Sequence, residues 1–329
     1  MIFKEKIMEV LIKMVWPFAI SFLIVVLLMP VIIRYFREKQ LGQVTREEGP
    51  SWHEAKSGTP TMGGVVFILS TITTSAIVSF MGIGRSLSLL LLVGVLVLYG
   101  LIGFVDDFIK LFMKRNLGLT SKQKALAQVV IGIVFYLVIL MNGFDNQINL
   151  GFIQNVPLGL FYGVFAVIWM VGFSNATNLT DGIDGLMAST GTIAYAAYAY
   201  IAYQQQEWGI LVFALSVIGG LIAFFLFNKK PAKIFMGDVG SLALGAGLAA
   251  MSILLKVEWT LLLIGIIFVV ETASVMIQVA YFKKTGKRIF KMSPIHHHFE
   301  MIDWSEWKIV GVFGTISLAT AIITLALLS

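Results

Sequence analysis

The amino-acid sequence predicts an all-α, polytopic integral membrane protein with about ten transmembrane helices. Of its 329 residues, 58% are hydrophobic and only 13% are charged, about half the charged fraction of a soluble domain. The hydrophobic residues are grouped in windows of about 20, the length that a helix needs to cross the hydrocarbon core of a bilayer. Because backbone amide groups in lipid must be paired internally, these windows indicate helices rather than open strands.

The predicted spans leave little sequence for a second domain, so residues 1–329 are expected to form one transmembrane domain. The spans cover residues 16–36, 61–82, 86–108, 125–142, 158–174, 185–203, 208–228, 235–255, 259–282 and 308–328. Before the first span, apolar residues recur at helical spacing between charged ones, which predicts a short interfacial helix over about residues 1–15. The apolar run that follows has full length and no small-residue cleavage site, unlike a signal peptide.

Lys and Arg residues are distributed unequally between the two sides of the predicted bundle. The loops after spans one, three, five, seven and nine carry nineteen of them, and the remainder of the chain carries five. Cytoplasmic loops are rich in Lys and Arg, so the first set is predicted to be cytoplasmic and both termini external. The net charge of +6 therefore reflects topology, and no nucleic-acid partner is expected. Among the external loops, only residues 143–157 are long enough for a small hairpin.

The polar residues that could carry chemistry all fall on the predicted cytoplasmic side. Cysteine is absent, which excludes disulfides, thiolate metal sites and a Cys nucleophile. Four segments remain: Asp106-Asp107 with Lys110, Lys122 and Lys124; residues 174–185; residues 235–241; and residues 294–300. The first of them ends span three. A solvated helix end would explain two Asp residues there, but negative charge at a helix C-terminus opposes the macrodipole, and adjacent carboxylates raise each other's pKa.

A nearby cation would relieve both costs, and we therefore interpret Asp106 and Asp107 as functional. Consecutive residues on a helix point about 100° apart, which predicts different roles for the two carboxylates. The lysines that follow are first of all a topology signal. Three of them, Lys110, Lys122 and Lys124, also lie where they could hold a diphosphate.

The segment 174–185 places amide, hydroxyl and carboxylate groups beside apolar spans. Such residues mark tight turns and helix caps, and a plain connection is the alternative. The same groups are the directional donors and acceptors that a nucleobase and a ribose require. The residues concerned are Asn175, Asn178, Asp181 and Asp184, and Gly182 would let the backbone approach a ligand closely.

Three consecutive histidines, His296, His297 and His298, lie in the last cytoplasmic loop. A metal cluster is one interpretation, although adjacent side chains in a run do not all converge on one ion. Anion binding or proton transfer fits imidazole groups near neutral pH better. Glu271, inside span nine, is either a hydrogen-bonded contact between helices or part of the site.

Together these features indicate phosphoryl transfer to or from a lipid carrier. Clustered carboxylates suit a hard divalent cation, preferably Mg²⁺; the lysines and histidines suit phosphate, and a site at the membrane implies a lipid partner. The rival from another class is a secondary transporter with proton-relaying carboxylates. Transporters place such groups near the bilayer midplane, often with repeat symmetry, whereas here they cluster at one face and no repeat is visible.

Four motifs and their order resemble one family over the whole chain. They are the Asp106-Asp107 segment, N-A-T-N-L-T-D-G-I-D-G-L at 175–186, F-M-G-D-V-G-S at 235–241 and P-I-H-H-H-F-E at 294–300, together with K-S-G-T-P-T-M-G-G at 56–64. The sequence resembles the phospho-N-acetylmuramoyl-pentapeptide transferases, within the superfamily of polyprenyl-phosphate N-acetylhexosamine-1-phosphate transferases. The triple His separates this branch from relatives that load GlcNAc-1-phosphate, which is the alternative within the enzyme class.

The resemblance implies a Mg²⁺-dependent enzyme of peptidoglycan biosynthesis in the bacterial plasma membrane. It implies UDP-MurNAc-pentapeptide and undecaprenyl phosphate as substrates, UMP as leaving product, a homodimer, and an active site on the cytoplasmic face. By similarity, Asp106 is the base and Asp238 the Mg²⁺ ligand, with Asp106 and Asp107 as further ligand candidates. Asn178, Asp181 and Asp184 belong to the nucleotide pocket, and Phe235 lies against the uracil.

The remaining members of the predicted site are assigned to the same motifs. Asp107, Lys124 and His296 join the catalytic group with Asp106 and Asp238. The expected substrate-binding residues are Lys56, Lys110, Lys122, Asn175, Asn178, Asp181, Gly182, Ile183, Asp184, Phe235, His297 and His298.

Overall fold

The computed structural model describes residues 2–39, 42, 58–113, 118–151, 153 and 155–328, with side chains from residue 13 onward. Over these residues the chain forms twelve helices and one two-stranded sheet. The helices are α1 Ile2–Glu38, α2 Gly64–Phe80, α3 Leu87–Phe112, α4 Ser121–Met141, α5 Phe161–Thr180, α6 Leu186–Gln204, α7 Trp208–Asn228, α8 Gly237–Leu254, α9 Thr260–Ile264, α10 Ile266–Thr285, α11 Ile295–Glu300 and α12 Glu306–Leu328, and the strands are β1 Gln147–Ile148 and β2 Val156–Pro157.

Every predicted span coincides with helix, but the ninth is not one continuous helix. It divides at Gly265 into α9 and α10. Within the described residues, seven helices are long and apolar enough to cross a membrane. An all-α, multi-pass protein is therefore confirmed, while the count of ten spans and the external termini stay predictions. Helix α1 is continuous through residue 15, so the predicted interfacial segment and first span form one helix.

Helix α8 forms the centre of the bundle and packs against α3 on one side and α5 on the other. All its residues from Val239 to Ile253 are buried. Small residues permit the close approach, because a side chain on Gly245 would overlap with the Phe173 carbonyl group of α5. Close packing through small residues is typical of helices in membranes. It fixes the ends of α3, α5 and α8 relative to one another.

A hairpin covers the opposite end of α8, as predicted for residues 143–157. Strands β1 and β2 pair antiparallel, and the Asn149 side chain donates a 3.1 Å hydrogen bond to the Lys256 carbonyl oxygen. The Lys256 ammonium lies 3.5 Å from the centre of the Phe144 ring, and burial lowers its pKa. The Glu258 carboxylate accepts a hydrogen bond from the Tyr162 hydroxyl, and burial raises the pKa of this carboxyl group.

Orientation in the membrane can be tested with reporter fusions. We expect a reporter fused after Ser329 to be external, and one inserted in the 283–307 segment to be cytoplasmic, because the loops on that side carry nineteen of the 24 Lys and Arg residues. Alkaline phosphatase fusions report an external position, and fluorescent-protein fusions report a cytoplasmic one. A cytoplasmic C-terminus would mean that one of the ten predicted spans does not cross.

Candidate active site

Three carboxylates from two helices meet at one end of the bundle. Asp106 and Asp107 lie in the last two turns of α3, and Asp238 lies in the first turn of α8. Oxygen atoms of the three side chains lie within 4.8 Å of one another. The helix dipole favours Asp238 at an N-terminus but opposes Asp106 and Asp107 near a C-terminus. This pair therefore needs compensating positive charge.

Two lysines supply that charge. The Lys110 ammonium lies 2.5 Å from Asp106 Oδ2 and 3.8 Å from Asp238 Oδ2. The Lys124 ammonium bridges the two helices, at 3.1 Å from Asp106 Oδ2 and 2.6 Å from Asp238 Oδ2. Three carboxyl groups therefore face two ammonium groups. Lys122 is exposed on the first turn of α4 and takes no part in the described ion pairs of this cluster.

Asp107 differs from Asp106 in its contacts, as the predicted 100° separation requires. Its Oδ2 accepts a 3.3 Å hydrogen bond from the Val239 backbone N–H, so it shapes the start of α8. Asp106 Oδ1 instead accepts a 2.7 Å hydrogen bond from the Leu119 backbone N–H. Gly237 has φ +77°, and a Cβ there would lie 2.5 Å from Asp107 Oδ2. Glycine at this position thus serves both a left-handed backbone and a close approach.

The two asparagines of α5 have different partners. The Asn178 amide donates to Asp238 Oδ1 and to Ser241 Oγ, both at 2.9 Å, so it belongs to the carboxylate cluster. Asn175 lies about one turn earlier and donates to Gln128 Oε1 of α4 at 2.9 Å. Its contacts therefore join α4 to α5, below Lys124 and Asn178. Gln128 is buried and was not predicted.

Backbone hydrogen bonds from residues 60–64 hold the F-M-G-D loop, residues 235–238. The Phe235 N–H donates to the Pro60 carbonyl at 2.8 Å, while the N–H groups of Gly63 and Gly64 donate to the carbonyls of Phe235 and Met236 at 2.9 Å each. The predicted motif at 56–64 therefore contacts the predicted motif at 235–241 through its backbone. Lys56 lies outside the described residues.

The connection between α5 and α6 is a tight turn with two carboxylates. Asp184 is buried and its Oδ2 accepts a 3.0 Å hydrogen bond from the Ala232 N–H. Burial raises the pKa of the Asp181 carboxyl group well above its usual range, and the carboxylates of Asp238, Asp107 and Asp184 raise it further. The Ile183 side chain packs in a small core with residues of α10 and α12, so only its backbone is left for a ligand.

The histidines of α11 have three different environments. His296 is fully buried, and its Nδ1 lies 3.0 Å from Glu271 Oε1. The other ring nitrogen is pressed against the turn before α6, where a side chain on Gly182 would overlap with it. His297 Nδ1 lies 2.6 Å from Glu300 Oε2. His298 Nδ1 accepts a 3.1 Å hydrogen bond from the Lys291 N–H.

These contacts connect all the predicted motifs at one end of the bundle. Asp106, Asp107, Asp238, Lys110, Lys124 and Asn178 form the central cluster. Beside this cluster, the His296 ring packs against the backbone of Gly182. The predicted site residues did not include Gln128 and Asn228, which are single polar residues in otherwise apolar helices, nor Ser241 and Glu300, which lie inside the motifs at 235–241 and 294–300. Asn228 is buried, and its side-chain oxygen accepts a hydrogen bond from the Gly185 N–H at 3.0 Å. A lone amide side chain at the end of an apolar helix is the sequence feature that could have indicated this contact.

The arrangement suits a phosphate-bearing ligand. Lysine ammonium groups beside carboxylates can exchange an internal ion pair for a phosphate oxygen, and three converging carboxylates offer hard oxygen ligands for a divalent cation. Fold and site together define a polytopic membrane protein with a carboxylate–lysine centre suited to phosphate chemistry.

Comparison with known proteins identifies the family. The model of glycosyl transferase family 4 matches residues 89–256, about half of the chain, and phospho-N-acetylmuramoyl-pentapeptide-transferase signature 1 matches residues 56–68. The chain is 58% identical over 312 residues to the phospho-N-acetylmuramoyl-pentapeptide-transferase of Enterococcus faecalis, covering 95% of this chain and 97% of the relative. It is 59% identical over 310 residues to that of Enterococcus hirae, covering 94% and 96%. The chain therefore belongs to the phospho-N-acetylmuramoyl-pentapeptide transferases.

Proposed function

We propose that the chain transfers phospho-MurNAc-pentapeptide from UDP-MurNAc-pentapeptide to undecaprenyl phosphate, forming a lipid-linked diphosphate and UMP. The observation that carries the proposal is the cluster in which Lys124 bridges Asp106 and Asp238 at 3.1 and 2.6 Å, in a chain 58% identical to a named transferase. The proposal includes a homodimer in the bacterial plasma membrane with the site on the cytoplasmic face.

Mg²⁺ is the proposed cofactor, and the residues fit such an ion. Asp106, Asp107 and Asp238 offer carboxylate oxygens within 4.8 Å of one another, and Mg²⁺ is usually held by one or two carboxylates together with substrate phosphates. Asp238 is the proposed ligand because its side chain is 18% exposed, whereas Asp106 is fully buried. When bound, the ion would neutralise charge on the diphosphate of the donor.

In the proposed reaction, a phosphate oxygen of the lipid attacks the β-phosphorus of the donor. A new P–O bond forms, the bond from the β-phosphorus to the bridging oxygen breaks, and UMP leaves with the electron pair. Both reactants are anionic, so charge neutralisation is the larger requirement and proton removal the smaller. Lys110 and Lys124 supply positive charge at this point, and Asp106 orients the acceptor or takes a residual proton.

The donor sugar and the route of transfer can be tested in detergent or in vesicles. We expect UMP release from UDP-MurNAc-pentapeptide with undecaprenyl phosphate, and none above background from UDP-GlcNAc. Turnover of UDP-GlcNAc instead would indicate the sister transferase, and movement of a solute without UMP release would indicate a transporter. A direct displacement further predicts no exchange of radiolabelled UMP into the donor when the lipid is omitted.

Asp181 is proposed to bind the nucleotide part of the donor. We expect Asp181→Ala to raise the KM for UDP-MurNAc-pentapeptide roughly 10–100-fold, because a polar group of the nucleotide left without its hydrogen-bond partner costs ~1–3 kcal/mol. Asn has the same shape as Asp and carries one group that donates and one that accepts a hydrogen bond, so Asp181→Asn should retain more activity. Donor kinetics of folded Asp181→Ala equal to those of the parent would make the segment a plain turn.

At least one of the histidines His296 and His297 is proposed to contact a phosphate or sugar group of the donor. We expect His296→Ala and His297→Ala each to lower kcat/KM by roughly tenfold or more, the effect of one lost charge-assisted hydrogen bond. Because His296 is fully buried, thermal unfolding must be measured beside activity. A folded double variant with the parental rate would make both histidines structural.

A further inference from the structure

The second half of α10 projects from the bundle. Up to Gln278 the helix buries one face, with Glu271, Ser274 and Gln278 turned inward. From Val279 to Ile289 all eleven residues are exposed, although a helix packed on the bundle would bury a residue every three or four positions. We call residues 279–289 the projecting segment.

The projecting segment has an apolar part followed by a basic part. Val279, Tyr281 and Phe282 are exposed by 45%, 40% and 49%. The residues that follow carry Lys283, Lys284, Lys287 and Arg288, and the sequence contains no Asp or Glu between residues 272 and 299. Aromatic side chains prefer the boundary between hydrocarbon and headgroups, and lysines keep their stems in apolar surroundings with the ammonium outside.

Hydrogen bonds to Gln278 hold the end of the projecting segment against α10. Gln278 Oε1 accepts hydrogen bonds from the N–H groups of Ile289 and Phe290, at 3.0 Å each, and its amide donates to the Phe290 carbonyl at 2.9 Å. The chain therefore returns to α10 immediately after the four cations. Four cations within six residues, beside exposed apolar residues, form a surface suited to anionic headgroups.

We propose that the projecting segment binds the anionic headgroups of membrane phospholipids. The exposed apolar residues directly before the cations favour a lipid, whose acyl chains cover Tyr281 and Phe282, over a free soluble phosphate, which would leave both side chains in contact with water. The phosphate groups of the lipids contact these cations, and the acyl chains contact the apolar residues. This interaction is separate from the proposed reaction, because these cations are not part of the carboxylate–lysine cluster.

Lipid-attached quenchers test the proposal in vesicles without any substrate. The chain lacks Cys, so Ala280→Cys gives a single labelling position for a fluorophore on the exposed helix. Phosphatidylglycerol and phosphatidylcholine, each with a nitroxide near the top of one acyl chain, are compared at equal mole fraction in phosphatidylcholine vesicles. We expect the anionic lipid to quench at least about threefold more strongly, and the difference to shrink at high salt.

Charge variants decide whether the four cations cause the preference. The variant Lys283→Gln/Lys284→Gln/Lys287→Gln/Arg288→Gln should bring the quenching ratio close to one. The control Arg34→Gln/Arg37→Gln/Lys39→Gln removes exposed cations at the end of α1 and should leave the ratio unchanged. Equal quenching by both lipids in the parent, or a preference that survives the fourfold substitution, would overturn the proposal. Either result leaves the proposed reaction untouched, because no turnover is measured.

Discussion

Replacing Asp238 by Asn is expected to remove most of the activity together with its dependence on Mg²⁺. The carboxylate is held on both sides, by Lys124 at 2.6 Å and by the Asn178 amide at 2.9 Å. Asn keeps the shape and can still accept from Asn178, but it loses the charge that a hard cation requires. Removing a group that stabilises transition-state charge typically costs about 10²–10³-fold in kcat, and we expect a loss of at least that size.

The measurement is UMP release as a function of Mg²⁺ concentration, with thermal unfolding as the control for folding. Asp303→Asn is a matched substitution, since Asp303 is exposed in the turn after α11 and has a positive φ that Asn tolerates. It should show the parental Mg²⁺ curve. A folded Asp238→Asn enzyme with an unchanged Mg²⁺ midpoint would remove Asp238 from the metal site.

That Asp106 and Asp238 lie on the same side of the bundle could be predicted from the sequence. Asp106 and Asp238 are 132 positions apart, yet each lies at a helix end on the side richest in Lys and Arg. Apolar windows set the helix lengths, and the alternation of sides then brings both ends to one surface. For the same reason the hairpin at 143–157 could be expected at the other end.

Individual contacts could not be predicted, because they depend on how the helices are rotated about their axes. Asn175 and Asn178 have the same chemistry and nearly the same position, but only Asn178 bonds to Asp238, while Asn175 bonds to Gln128. Adjacent histidines point in different directions on the short helix α11, so His296 is buried against Glu271 and His297 is paired with Glu300. Side-chain packing, rather than residue type, decides these outcomes.

The apolar pattern also could not predict that span nine is interrupted. Hydrophobicity continues through Gly265, but a side chain there would lie 2.7 Å from the Leu261 carbonyl oxygen. Glycine in a helix interior weakens it by roughly 0.5–1 kcal/mol relative to Ala, and here the helix divides. The division leaves α10 free to carry Glu271 to His296 and to project beyond the bundle.

Replacing Asp106 by Asn is expected to impair turnover while leaving donor binding in place. Asp106 is fully buried, with the Leu119 N–H at 2.7 Å on one oxygen and the ammonium groups of Lys110 and Lys124 at 2.5 and 3.1 Å on the other. Asn can still accept from Leu119, but it no longer attracts the two lysines. These lysines must be in place when the acceptor phosphate approaches the donor.

The effect should appear in kcat. Loss of general acid–base catalysis costs about 10²–10⁴-fold, and we expect Asp106→Asn to fall in this range whether Asp106 takes a proton or holds the lysines. The donor Kd and the Mg²⁺ midpoint should stay near the parental values, measured by calorimetry and by Mg²⁺ titration of residual turnover. This separates Asp106 from Asp238, whose Asn variant should lose the Mg²⁺ response. A trapped phospho-aspartate at position 106 would overturn the direct displacement. A Mg²⁺ response that is lost in Asp106→Asn and kept in Asp238→Asn would exchange the roles of the two carboxylates.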